Sequence, residues 1–152
     1  MWGLNAEGRI KFVVGQRQVL VPNTSGTGGM PRIGQELGRG AEGVVYEDLD
    51  QPGWLVKEFH PGGTSPFQAG NEFQNLERAR AIRPDNVVKA QAPADPRQGF
   101  LVKEQVIRSS TPQDMAQRAQ LLQDLQNIPD AGGNLMWGTT VDNPTPRWIL
   151  IE

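Results

Sequence analysis

Gly38-Arg39-Gly40-Ala41-Glu42-Gly43-Val44-Val45 matches the spacing G-x-G-x-x-G-x-V. In such a turn the missing side chains let backbone amides approach phosphate oxygens closely. Lys57 follows on the apolar run Trp54-Leu55-Val56, where a strand returning from the glycine turn would carry its ammonium beneath those amides. Two carboxylates, Glu72 and Glu77, lie in the next periodic stretch, 67–82, whose apolar residues recur at helical spacing. At about 100° per residue, Ala69, Phe73, Leu76 and Ala79 make one face; Glu72 projects within roughly 50° of its centre and Glu77 nearer 90°. Glu72 is therefore expected to turn inward and neutralise Lys57, and Glu77 to stay near solvent beside Arg78 and Arg80. A lysine held by a buried carboxylate under a glycine turn is suited to orienting a polyphosphate.

Each of these residues also has a plainer reading: a glycine-rich β-turn, a solvated edge lysine, a helix carboxylate. A dinucleotide-binding turn would need the third glycine to open a helix, but Gly43 leads into the β-branched and aromatic run Val44-Val45-Tyr46. The glycines are thus expected at the tip of a hairpin. Lys103 stands in the same tetrad as Lys57, Leu-Val-Lys-Glu, without a glycine turn ahead of it, and is expected to be a control residue with no part in the site.

The elements that must position these groups follow from period and punctuation. Strand signals run over 32–37, 44–49, 54–59, 87–90 and 100–106, with the 67–82 helix between the third and fourth. The expected fold is α+β, a five-stranded antiparallel sheet with one helix. A second helix is signalled by Thr111-Pro112-Gln113-Asp114, with Thr111 as cap, Pro112 in the first turn and Asp114 favouring the dipole; Met115, Ala119, Leu122 and Leu125 form its stripe. Two β-branched runs within 9–21 suit a small hairpin or extended arm, and the Gly- and Pro-rich stretch 22–31 suits a linker. The expected organisation is an arm and linker over 1–32, a sheet-rich unit over 33–106 and a smaller segment over 107–152.

Composition narrows the function classes. The chain has 152 residues, enough for one domain with a real core, and its 18 glycines and 12 prolines argue against a simple helical bundle. A net charge of -2 without runs of like charge lacks the footprint of a nucleic-acid or anionic-membrane binder. With no cysteine and only His60, neither thiolate chemistry, a histidine-rich metal site nor a Ser-His triad is expected. The start of the sequence lacks the charged and apolar regions of a signal peptide, and no apolar run is long enough to span a bilayer.

Residues 33–106 resemble the N-terminal lobe of the protein-kinase fold. Asn71-Glu72-Phe73-Gln74-Asn75-Leu76-Glu77 is similar to the family's helix after its third strand, and Pro84-Asp85-Asn86-Val87-Val88 resembles its entry to the fourth. Gly99–Val106 resembles the fifth strand and hinge. The resemblance implies Gly38, Gly40, Gly43 and Val45 over a nucleotide, Lys57 held by Glu72 against its phosphates, and backbone groups of Glu104 and Val106 on adenine. Further on, Pro129–Trp137 resembles the catalytic loop and Arg147–Glu152 the strand that ends in a magnesium-binding acid. That implies Asp130 as base, Asn134 and Glu152 as metal ligands, and ATP with Mg2+. The spacing departs from the family: Asn134 stands four residues after Asp130 where five are usual, no His-Arg precedes Asp130, and Glu152 replaces the Asp of Asp-Phe-Gly. So short a C-terminal lobe is most similar to miniature kinases among bacterial effectors and toxin domains, the OspG type. This implies phosphate transfer to a hydroxyl of a host or target-cell protein, delivery as part of a larger secreted protein, and an immunity or activating protein as a further partner. The alternative is a kinase-like module that binds nucleotide or a protein without turnover.

Overall fold

The computed structural model describes residues 29–63 and 65–152; the expected hairpin at 9–21 and most of the linker at 22–31 lie outside them. Ile33–Glu152 forms one compact unit. Its strands are β1 (Ile33–Arg39), β2 (Gly43–Asp48), β3 (Trp54–Phe59), β4 (Phe100–Glu104), β5 (Ile107–Arg108), β6 (Leu135–Thr140) and β7 (Asn143–Leu150). Two helices, α1 (Gln68–Ile82) and α2 (Met115–Asp124), and two short 3-10 turns, Pro84–Asn86 and Ala131–Gly133, complete it. The fold is α+β, with one antiparallel sheet in the order β1-β2-β3-β4 and a second in the order β5-β6-β7.

The first sheet is set by its turns. Gly40 donates its N–H to the Gly43 carbonyl at 2.9 Å, closing the β1–β2 hairpin. A Cβ on Gly43 would stand 2.1 Å from the Glu58 carbonyl oxygen, so close pairing of β2 with β3 requires glycine there. Between β2 and β3, Asp48 Oδ1 accepts from the amides of Asp50 and Gln51, and Gly53 takes φ 85°. The register pairs Val45 with Lys57, Lys57 with Leu101, and Leu55 with Lys103. Directly paired residues share a face and side chains alternate, so Val45, Leu55, Lys57, Leu101 and Lys103 all project to the same side.

Helix α1 covers that side, burying Ala69, Glu72, Leu76 and Ala79. Three of these belong to the expected apolar face, and Glu72 lies among them. The core continues through Phe59 and Leu101 into the second sheet, where Trp137, Trp148, Ile149 and Leu150 pack with Leu121, Leu125 and Ile128. Trp137 and Trp148 meet edge to face at 5.7 Å, each indole N–H satisfied: by Thr111 Oγ1 and by the Asp114 carbonyl.

Two expectations need correction. The run 87–90 is not a fifth strand, and the sheet has four. Val88 donates to the Leu150 carbonyl, whereas Lys89 accepts from Glu104 and Gln91 donates to the Val102 carbonyl. Its backbone bonds are divided between β7 and β4, so the segment bridges the two sheets without extending either ladder. The cap of α2 is Asp114, which accepts from the Gln117 amide at 2.9 Å, and not Thr111, whose hydroxyl is engaged by Trp137 and Ser109. The helix starts later than expected, and its buried stripe runs through Leu121 and Leu125 while Met115 and Ala119 are exposed. Among the described residues no helix is long and apolar enough to cross a membrane.

Candidate functional site

Lys57 stands near the middle of β3 and is only 5% exposed. Burial of an ammonium is tolerated when its charge is met, and here three carboxylates meet it. Its Nζ lies 2.7 Å from Glu72 Oε1, 2.8 Å from Glu42 Oε1 and 3.0 Å from Glu152 Oε1. The Phe59 ring, two residues along the same face, approaches the ammonium at 5.0 Å from its centroid. Burial draws the Lys57 ammonium down, but Glu72, with Glu42 and Glu152, outweighs it and leaves the amine above its ordinary range. Lys57 is therefore a fixed cation at neutral pH.

The three carboxylates come from three places. Glu72 projects from the buried side of α1, as the helical spacing required, and Glu77 pairs instead with Arg80 at 3.0 Å. Glu42 sits within the glycine turn. Its carbonyl accepts from the His60 amide at 2.8 Å, and His60 Nε2 lies 3.1 Å from the Gly40 carbonyl, so His60 laces the tip of the hairpin to the end of β3. The hydrogen bond from Lys57 holds the Glu42 carboxyl below its usual range. Glu152 follows β7, whose end is anchored by the Ile151 amide donating to the Asn134 carbonyl at 2.9 Å.

Lys103 joins this cluster, which corrects the expectation that it stands apart. It is 5% exposed, and its Nζ lies 2.6 Å from Glu72 Oε2 and 2.6 Å from the Ile151 carbonyl oxygen. Each oxygen of Glu72 thus serves a different lysine. Burial pulls the Lys103 amine below its ordinary range, with Glu72 opposing that pull. The contrast with Lys57 has a plain cause: Lys57 has three carboxylates and Lys103 shares one.

Glycines 38 and 40 have open space where a Cβ would be. Val45 is registered opposite Lys57 on the same face. The carboxylate oxygens of Glu42, Glu72 and Glu152 lie within 4.8 Å of one another, spacing that a divalent cation accepts. Lys57 already occupies the middle of that group, however, and both Glu72 oxygens are committed. Glu42 and Glu152, 54% and 31% exposed at their side chains, each bond Lys57 through one oxygen.

Asp130 and Asn134 flank the 3-10 turn Ala131–Gly133. Asp130 is exposed, with φ 57°. The Asn134 side-chain amide donates to the Asp130 carbonyl at 3.0 Å, leaving its amide oxygen as the atom that could meet a cation. Its backbone carbonyl on Ile151 places the turn next to Glu152. Glu104 ends β4; its amide donates to the Lys89 carbonyl, while its own buried carboxylate accepts from the Lys89 amide at 2.8 Å. Val106, half-buried, follows in the link to β5.

Sequence reasoning missed Lys103 and Glu42. A signal existed for Lys103: two identical tetrads on adjacent antiparallel strands, paired in this register, must place both lysines on one face. Glu42 carried none, being one polar residue in a turn.

No protein-family model matches this sequence, and a search of curated proteins finds no match.

Proposed function

We propose that this unit binds ATP with magnesium and transfers the γ-phosphoryl group to a hydroxyl of an acceptor. The observation that carries the reading is the buried Lys57, bonded to helix carboxylate Glu72 beneath an open glycine turn and approached by Glu152 from the far end of the chain. A cation fixed on its stem by a buried carboxylate reorganises little when a phosphate arrives, and of its three N–H groups, all now taken by carboxylates, the one on Glu42 would turn to the phosphate. Backbone amides of the 38–43 turn would complete the phosphate cradle, and backbone groups of Glu104 and Val106 would meet adenine. Entry of a phosphate requires the Glu42 carboxylate to leave Lys57, which its exposed position on the hairpin allows.

Glu152 and the Asn134 amide oxygen would hold magnesium, a hard cation that takes oxygen ligands. A metal held there would supply charge neutralisation on the transferring phosphate. Asp130 stands at the mouth of the same turn, where its carboxylate would orient the acceptor hydroxyl and take its proton. The resemblance to miniature effector kinases points to a protein hydroxyl in a target cell as the acceptor, with a dedicated immunity or activating protein as a further partner.

A second reading, nucleotide or partner binding without turnover, draws on Lys57 being saturated by carboxylates and on the shortened Asp130-to-Asn134 spacing. Incubation with γ-labelled ATP, magnesium and a general protein acceptor tests the first against the second. Label transferred by the native chain and lost in Lys57→Ala supports transfer. A magnesium-ATP-dependent rise in melting temperature without transfer supports binding alone, and neither response sinks both.

A further inference from the structure

Lys103 is a buried ammonium on the same face of β4 as the fully buried Leu101. Desolvating a charge there costs free energy that a leucine or methionine would not. Its contacts show what that charge reaches. From β4 it bonds Glu72 on α1 and the Ile151 carbonyl, immediately before Glu152. One amine therefore ties together the two segments that carry Glu72 and Glu152, both of which bond Lys57.

We propose that Lys103 is a positioning residue that holds Glu72 and Glu152 on Lys57. Without it, Glu72 Oε2 is left without its cation and α1 loses its charged tie to β4. The Ile151 carbonyl is freed at the same time, and Glu152 keeps only its bond to Lys57 and the Asn134 anchor. Lys57 would retain its place on β3 but lose its orientation. Lys103 acts through Glu72 and the Ile151 carbonyl. The consequence for catalysis rests on the phosphotransfer reading; the consequence for α1 and residues 150–152 does not.

The chain contains no cysteine, so Lys103→Cys introduces a unique thiol. Alkylating the unfolded variant with 2-bromoethylamine rebuilds a lysine-like amine, and alkylating it with iodoethane gives a neutral stem of similar bulk. Hydrogen exchange is then followed in α1 and at 150–152, with the β6–β7 hairpin as reference. The neutral form is expected to exchange about tenfold faster in α1 and at 150–152 but not in the hairpin, and the amine to restore protection. For transfer, kcat should fall about tenfold or more in the neutral form with KM for ATP changed less than about threefold, and recover with the amine. Equal protection of α1 and 150–152 in the neutral and amine forms overturns the proposal. Lys103→Met, compared with native chain without refolding, gives the same exchange test should alkylated protein not refold. If the native chain transfers no phosphate, the phosphotransfer reading fails while the exchange comparison still decides the role of Lys103.

Discussion

Glu72→Gln removes the one charge that both buried lysines share. Lys57 keeps Glu42 and Glu152, but their side chains are 54% and 31% exposed and water screens them. Lys103 keeps only the Ile151 carbonyl. Removing one partner from a buried ion pair costs about 3–5 kcal/mol, because the other charge stays buried and unmet. Glu77→Gln breaks only a half-exposed pair with Arg80, worth about 0.3–0.5 kcal/mol. With an unfolding entropy of about 2.1 cal/mol/K per residue, the unit Ile33–Glu152 should lose roughly 12–20 °C in Tm for Glu72→Gln and about 1–2 °C for Glu77→Gln. The loss has a pH signature. Burial already lowers the Lys103 amine, and without Glu72 only the weaker pull of Glu152 opposes it. In the variant the folded state then binds fewer protons than the unfolded state from that lowered pKa up to about 10.5, so stability recovers as pH rises through this window. Melting curves of both variants and the native chain at pH 7 and pH 9.5, followed by circular dichroism, test this. Glu72→Gln melting within about 3 °C of Glu77→Gln at pH 7 would refute the shared-charge account.

Glu42→Gln should tighten ATP binding about two- to fivefold by calorimetry, since a neutral amide competes less well with phosphate for Lys57; weaker binding would show that Glu42 helps the ligand instead. Gly43→Ala should destabilise by about 1–3 kcal/mol in urea unfolding, because its Cβ meets the rigid Glu58 carbonyl, whereas Gly38→Ala and Gly40→Ala should leave the fold intact and weaken nucleotide binding alone. The hydrogen bond from Lys89 lowers the Asp142 carboxyl to about 2, so its contribution is complete above the ordinary value of 3.8 and is lost as pH falls through about 2. Both side chains are nearly half exposed, so Asp142→Asn should cost less than about 1 kcal/mol at neutral pH, a difference that 1 M salt erases.

The local pattern of the chain was enough to place the glycine hairpin, the strand carrying Lys57, and the helix with Glu72 rather than Glu77 turned inward. Period and punctuation act over a few residues, and a helix must bury its apolar face wherever it docks. The reading of α2 failed for a long-range reason: Thr111 and Asp114 are both good caps, and Trp137, distant in sequence, claims the Thr111 hydroxyl. The run 87–90 has strand composition, yet its hydrogen bonds go to two sheets, a division that depends on how β7 and β4 lie beside it. Lys57 and Lys103 occupy identical tetrads, so no local property separates them. Their different charges' fates follow from where α1, the glycine turn and the chain's end converge: three carboxylates around one amine, one shared carboxylate and a backbone carbonyl around the other. Sequence therefore determined which side chains of α1 face its buried side, but not those of α2, where Leu121 is buried in place of Met115 and Ala119. The tertiary structure alone decided which of them meet, because the energy of a buried charge depends on the neighbours that long-range packing brings within about 3 Å of it.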